Sequence, residues 1–121
     1  MNNILYNESK GCRLSEHLRL LKTSHEKALG LMFSKEKKDF ALIFFFSKDL
    51  IISLHMFFVF YPIDVIFLDS EMRIVEIKEN FKPFTIYNPK KKARFVIELP
   101  KGTIARTKTI VGDLIGYGKQ Q

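Results

Sequence analysis

Carboxylates come first among the residues whose chemistry could matter. Asp64 and Asp69 sit in the run Ile63-Asp64-Val65-Ile66-Phe67-Leu68-Asp69, and two carboxyls a few ångströms apart can divide acid and base work between them. Along one continuous strand, positions 64 and 69 point to opposite faces, so pairing would need a bend or another partner. The simpler reading has Asp64 bonding nearby backbone after Pro62, with Asp69 opening a turn. Glu98 is the one acid among the cations of residues 82–108. It shares a strand face with Arg94, which predicts either an ion pair across strands or a carboxyl of lowered pKa that shapes a polar pocket with Asp64. His55 lies in an apolar run, where a hydrogen-bonded histidine at the core or an edge is commoner than a catalytic base. Asp64, Glu98, Arg94 and His55 are therefore the ligand-binding candidates.

The cations form the second group. Residues 82–108 hold eight basic side chains and one acid, so the formal net charge of +7 falls wholly within them, and the remainder of the chain balances. Lys90, Lys91, Lys92, Arg94 and Arg106 are candidates for contacting an anion or nucleic-acid backbone. Phe84 and Tyr87 lie close by in sequence to stack on bases, as in small β-folds that hold single strands. A solvated loop is the plainer account of a three-lysine run.

Other chemistries lack their residues. His17, His25 and His55 have no metal-ligand spacing, and Cys12 is the only cysteine, which leaves no second soft ligand and no intrachain disulfide. There is no nucleophile elbow, and Gly112, Gly116 and Gly118 do not form a phosphate-binding loop. No metal and no cofactor is expected. The absence of disulfide chemistry and of a visible export signal favours a cytoplasmic location.

The elements that would position these side chains follow from length and pattern. A chain of 121 residues with 46% hydrophobic and 27% charged residues is sized for a single domain, 1–121, with an ordinary core. Twelve Phe, four Tyr and no Trp suit pleated sheet. The apolar run from 40 to 61 is long enough to span a bilayer, but Lys48 and Asp49 near its centre argue for two strands instead, 40–46 and 50–60, joined by a turn at 47–49. Residues 1–12 read as a loose arm or an edge strand. Residues 13–21 alternate, with Leu14, Leu18 and Leu20 on one side. Thr23 and Glu26 match a capping box, predicting a short helix to about Met32. Pro62 should begin the next strand, 63–68, with a hairpin return at 73–79. Residues 93–99 alternate cleanly, with Ala93, Phe95, Ile97 and Leu99 facing the core. Thr103 can cap one helical turn, and 111–117 is the last strand. The architecture predicted is mainly β (β-rich α+β): a compact sandwich or partly closed barrel of about seven short strands with one or two short helices.

Four blocks in this order resemble the domain of unknown function 192 family: Glu26 to Phe33 (EKALGLMF), His55 to Asp69 (HMFFVFYPIDVIFLD), Phe95 to Thr103 (FVIELPKGT) and Gly112-Asp113-Leu114. Many members carry Lys-Asn-Thr shortly before the Pro-hydrophobic-Asp element, where this chain has Phe57, Phe58 and Val59, apolar residues read here as structural. The resemblance implies a small β-rich fold and no established activity. The function expected is a binding or accessory module for a polar or polyanionic ligand or a protein partner. The alternatives are an enzyme using Asp64 and Glu98 in a polar pocket, and single-stranded nucleic-acid binding through residues 82–108.

Overall fold

A computed structural model describes residues 3–23 and 30–119. In chain order the elements are β1 (Asn3–Asn7), β2 (Cys12–Leu21), β3 (Ala41–Leu50), β4 (Leu54–His55), β5 (Ile63–Leu68), β6 (Ile74–Phe81), β7 (Ile86–Tyr87), β8 (Ala93–Pro100), α1 (Thr103–Thr107) and β9 (Ile115–Lys119). Seven strands make one sheet in the order β6-β5-β8-β3-β2-β1-β9, and β4 pairs with β7 as a separate ribbon. All neighbours are antiparallel except β2 and β3. A parallel pair needs a crossover of a dozen or more residues, and the stretch from 22 to 40 supplies it.

The sheet curls into a half-barrel whose two edge strands touch at one corner. There Arg73 bridges Leu114, the Ile74 amide donates to the Asp113 carbonyl at 3.0 Å, the Gly112 amide to the Ile74 carbonyl at 2.8 Å, and the Ile115 amide to the Met72 carbonyl at 2.9 Å. A buried polar knot ties β1 to the same corner. The Asn7 amide group donates to Thr109 Oγ1 at 3.0 Å and to Asp113 Oδ2 at 2.9 Å, and Lys10 Nζ reaches Asp113 Oδ1 at 3.1 Å. Burial alone would raise the Asp113 carboxyl, but the bonds from Asn7, the Ile110 amide and Lys10 together hold it below its ordinary value.

Both faces of the sheet are covered. Inside the curl, Leu5, Leu18, Ile43, Ile66, Ile97 and Ile115 pack together with Ile104 of α1. On the outer face, Leu42, Phe44, Val65, Phe67, Val96 and Phe81 pack beneath residues from 31 and from 52 to 61. All six residues of β5 are consequently buried, as a continuous apolar run with no alternation suggests.

Asp64 is the polar exception within that strand. It is 1% exposed and accepts three backbone hydrogen bonds, from the Asn80 amide to Oδ1 at 3.0 Å and from the Gly102 and Ile104 amides to Oδ2 at 3.1 and 3.0 Å. One carboxylate thus fixes the end of β6 and the entry to α1.

Several expectations change. Residues 3–7 are neither a loose arm nor an edge, since β1 pairs with both β2 and β9. There is no turn at 47–49, because β3 runs through to Leu50. Residues 50–60 do not form a second buried strand, for Phe57, Phe58 and Phe60 stand exposed. Thr103 is the first helical residue rather than a cap, its hydroxyl donating to the Pro100 carbonyl at 2.7 Å. The last strand begins at Ile115 instead of 111. The helix expected from Thr23 to Met32 falls mainly on residues 24–29, outside the described residues. Among the described residues no helix is long and apolar enough to cross a membrane.

Replacing the buried Asp64 carboxylate with Ala leaves the buried Ile104 amide and the partly buried Asn80 and Gly102 amides without their acceptor, and the expected loss is about 3 to 5 kcal/mol of folding stability. Urea denaturation measures it; a loss below about 1 kcal/mol, the size of one ordinary hydrogen bond, would show that the carboxylate does not hold these segments.

Candidate functional site

The outer face is roofed by three stretches that are mostly not strand: 30–34, 51–61 and 84–87. They are stitched through backbone. The Phe33 amide donates to the Phe58 carbonyl, the Met56 amide to the Thr85 carbonyl, and the Phe84 amide to the Met56 carbonyl, each at 2.8 Å. The Ser34 and Tyr61 hydroxyls add a side-chain bond at 2.7 Å. Ile52, Met56, Val59 and Tyr61 point inward, whereas Phe57, Phe58 and Phe60 point out.

Under this roof lies a cavity of about 420 Å³, lined by apolar side chains that include Met32, Phe44, Phe46 and Val96, together with Ser53, His55 and Glu98. Glu98 enters from β8, between Leu42 of β3 and Val65 of β5. It is buried, and among the described residues no cation pairs with its carboxylate. Burial pushes its carboxyl pKa up to about 7.

That reverses the expectation of a Glu98 carboxyl lowered by surrounding cations. Arg94 turns instead to Asp49, its Nε donating to Oδ1 at 3.0 Å, and the face of β8 that carries Val96 and Glu98 is core, as is the other face. Asp64 and Glu98 do not share a pocket. Asp64 stands opposite Leu99 and Glu98 opposite Val65, so the pleat turns the two acids to opposite faces of the sheet. His55 does line the cavity with Glu98. Its Nδ1 accepts from the Phe57 amide at 3.2 Å, and its ring stacks on Phe57 with centroids 4.9 Å apart. Close by, burial raises the Tyr61 phenol, the bond to Ser34 opposes this, and the carboxylates of Glu98 and Glu36 add to it.

The basic stretch, compact in sequence, disperses in space. Lys90 and Lys91 donate their backbone amides to Glu76 Oε1 at 2.9 Å each, which fixes the loop and leaves the three lysine side chains exposed. Arg106 lines a separate hollow with Arg13 and Lys38. Because β8 runs between them, Lys92 and Lys101 stand roughly 30 Å apart. Tyr87 offers no free stacking face: it is half-buried against Phe67 and Phe81, with centroids 5.9 and 6.2 Å away, and its hydroxyl donates to Glu76. Burial, then the Glu76 bond, pushes its phenol up to about 12.

Sequence reasoning missed the outer surface of the roof. Phe33 stacks on Phe58 with centroids 5.0 Å apart, and Phe84 meets Phe58 and Phe60 edge-on at 6.0 and 5.6 Å. All four rings are exposed. Phe33, Phe58 and Phe84 have φ values of 61°, 61° and 59°, left-handed backbone that costs a bulky residue on the order of 1 to 2 kcal/mol. Phe57 and Phe58 are thus surface residues, and of the three apolar residues read as structural only Val59 is buried. Among the described residues no cluster of His, Cys, Asp and Glu is arranged to hold a metal ion.

Relatives of this chain carry names that state no activity. The UPF0127 protein of Pyrococcus horikoshii is 40% identical over 116 residues, covering 94% of this chain and 98% of its own, and the Pyrococcus abyssi UPF0127 protein is 34% identical, covering 94% and 97%. A solved protein of unknown function from Novosphingobium aromaticivorans superposes with a TM-score of 0.80 at 25% identity, over 94% of this chain and 82% of that one. A Sinorhizobium meliloti structure has the same fold, with a TM-score of 0.81 at 24% identity over 95% and 91%. The model of the uncharacterised ACR family, DUF192, matches residues 6–117, and the chain belongs to that family.

Proposed function

We propose that the protein is a binding module for a small ligand with an apolar body and a cationic or hydrogen-bond-donating head, held under the roof with its head on Glu98. The observation that carries this reading is the buried carboxyl without a counter-charge. A buried acid without a counter-charge weakens the fold, and a ligand donor would supply that charge or a hydrogen bond under the roof. The cavity volume of about 420 Å³ falls in the range of small-molecule sites, which are mostly apolar with a few converging polar groups. A polyanion suits this cavity poorly, because its buried ionisable group is an acid.

A second reading rests on His55 and Glu98 lining the same cavity. A carboxyl with a pKa of about 7 is matched to proton transfer near neutrality, so the pair would suit an acid–base enzyme. Turnover of a bound ligand would separate this reading from simple binding.

Two measurements follow from Glu98. Titration with hexylamine, hexanol and hexanoate, followed by amide NMR, should move the signals of Met32, His55 and Val96 with hexylamine bound most tightly. Glu98→Gln should weaken hexylamine by about tenfold to a hundredfold. Hexanoate binding as tightly as hexylamine would defeat the proposal. The second measurement is stability against pH. The folded carboxyl titrates near 7 and the ordinary value is 4.5, so between those pH values the unfolded chain gives up a proton that the fold retains. Stability should therefore be highest below pH 4.5 as far as this group is concerned, and fall by about 3 kcal/mol as pH rises to 7. Glu98→Gln should lack that fall, and identical pH profiles for the two proteins would contradict the burial argument.

A further inference from the structure

A second hollow, of about 430 Å³, lies across Leu31 from the Glu98 cavity. Its apolar floor comes from Leu31, Phe40 and Leu42 of the outer-face core, while Arg19, Lys35, Lys37 and His17 stand around it. Among the described residues the one acid in its lining is Asp39. That carboxylate is already engaged: Oδ1 accepts from the Ser15 hydroxyl at 2.6 Å, and Oδ2 accepts from the Glu16 amide at 3.1 Å and lies 3.9 Å from His17 Nε2. Arg19, Lys35 and Lys37 form no ion pair among the described residues, although Glu36 lies between the two lysines in sequence. The wall is fixed by the Ser34–Tyr61 bond and by the Ser34 hydroxyl donating to the Leu31 carbonyl at 2.6 Å.

Three cations beside an apolar floor, with the neighbouring carboxylate occupied, define a different ligand from the one suited to Glu98. We propose that this hollow is a binding site for a small oxyanion, a phosphate ester or a carboxylate, whose charged group is held by Arg19, Lys35 and Lys37 and whose apolar body lies on Leu31, Phe40 and Leu42. The guanidinium fork of Arg19 can grip such a group through two parallel bonds, with the lysines adding charge from the 34–40 side. None of these three cations belongs to the basic stretch of residues 82–108, so the site draws on charge that balances out in the sequence count.

The test uses phenyl phosphate, benzoate and inorganic phosphate as probes, titrated into the full chain and followed by amide NMR. Phenyl phosphate or benzoate should shift the amides of Leu18, Arg19, Lys35 and Ala41, with an affinity that falls as salt is added. The aromatic probe should bind about tenfold more tightly than inorganic phosphate because it covers the apolar floor. Arg19→Gln with Lys37→Gln should weaken binding about tenfold or more while the spectrum stays folded, and Glu98→Gln should leave it unchanged. Failure of this site and failure of the Glu98 site are thus distinguishable. Shifts spread over Lys90, Lys91 and Lys92 as strongly as over the hollow would mean diffuse attraction, and would overturn the proposal. So would equal binding of phenyl phosphate and inorganic phosphate, or no shift at millimolar probe.

Discussion

A curled sheet of seven strands either bonds its first edge to its last along their whole length or leaves most of both edges apart. Here the bonding is confined to residues 72–74 against 112–115, and much of the structure follows from that corner. It brings Ile74 and Ile115 into one core with Ile43 and Ile97 from the middle of the sheet, so the inside of the curl closes with only Ile104 of α1 added. The knot of Asn7, Thr109, Asp113 and Lys10 keeps the corner together by satisfying polar groups that a simple edge would leave to water. The outer face has no such closure. It must be covered by chain that crosses it, and chain laid across a sheet packs less uniformly than a second sheet, which is how the hollows on either side of Leu31 arise.

Two buried acids show how differently the same side-chain chemistry can be used. Asp64 faces the inside and is saturated by three amides from two separate segments, one of them the buried Ile104 N–H. Glu98 faces the outer side one register position away, with apolar neighbours and no paired cation among the described residues. The first stabilises the fold as it stands. The second is tolerated by it, and tolerance of a buried acid without a counter-charge is what marks a site rather than a scaffold.

Much of the sheet was legible in the sequence. The alternation of residues 13–21, Pro62 placed just before β5, the Asp69 turn and the strand at 93–99 all follow from local rules, and the architecture follows from their number. The roof was not legible, because the apolar run 50–60 satisfies the pattern of a buried strand as well as that of a covering loop. Only the positions of β3, β8 and β7 decide that Met56 and Val59 face in while Phe57, Phe58 and Phe60 face out. Glu98 was misjudged for a related reason. The alternation in β8 suggests one wet face, but a strand between β5 and β3 with a roof above it has none. Charge neighbours in sequence are likewise not neighbours in space when an extended strand lies between them.

The pairing of β1 with β9, which sets Asn3 beside Lys119 and Asn7 beside Ile115, has a consequence in time as well as in space. As the chain leaves the ribosome, β1 can find β2 almost at once, yet its other edge stays open until the final strand has been made. Contacts of such long sequence separation form slowly, and an unpaired edge is where nascent chains associate wrongly. The half-barrel is therefore a fold in which β1 waits for β9, and one edge of β1 stays open until β9 has been made.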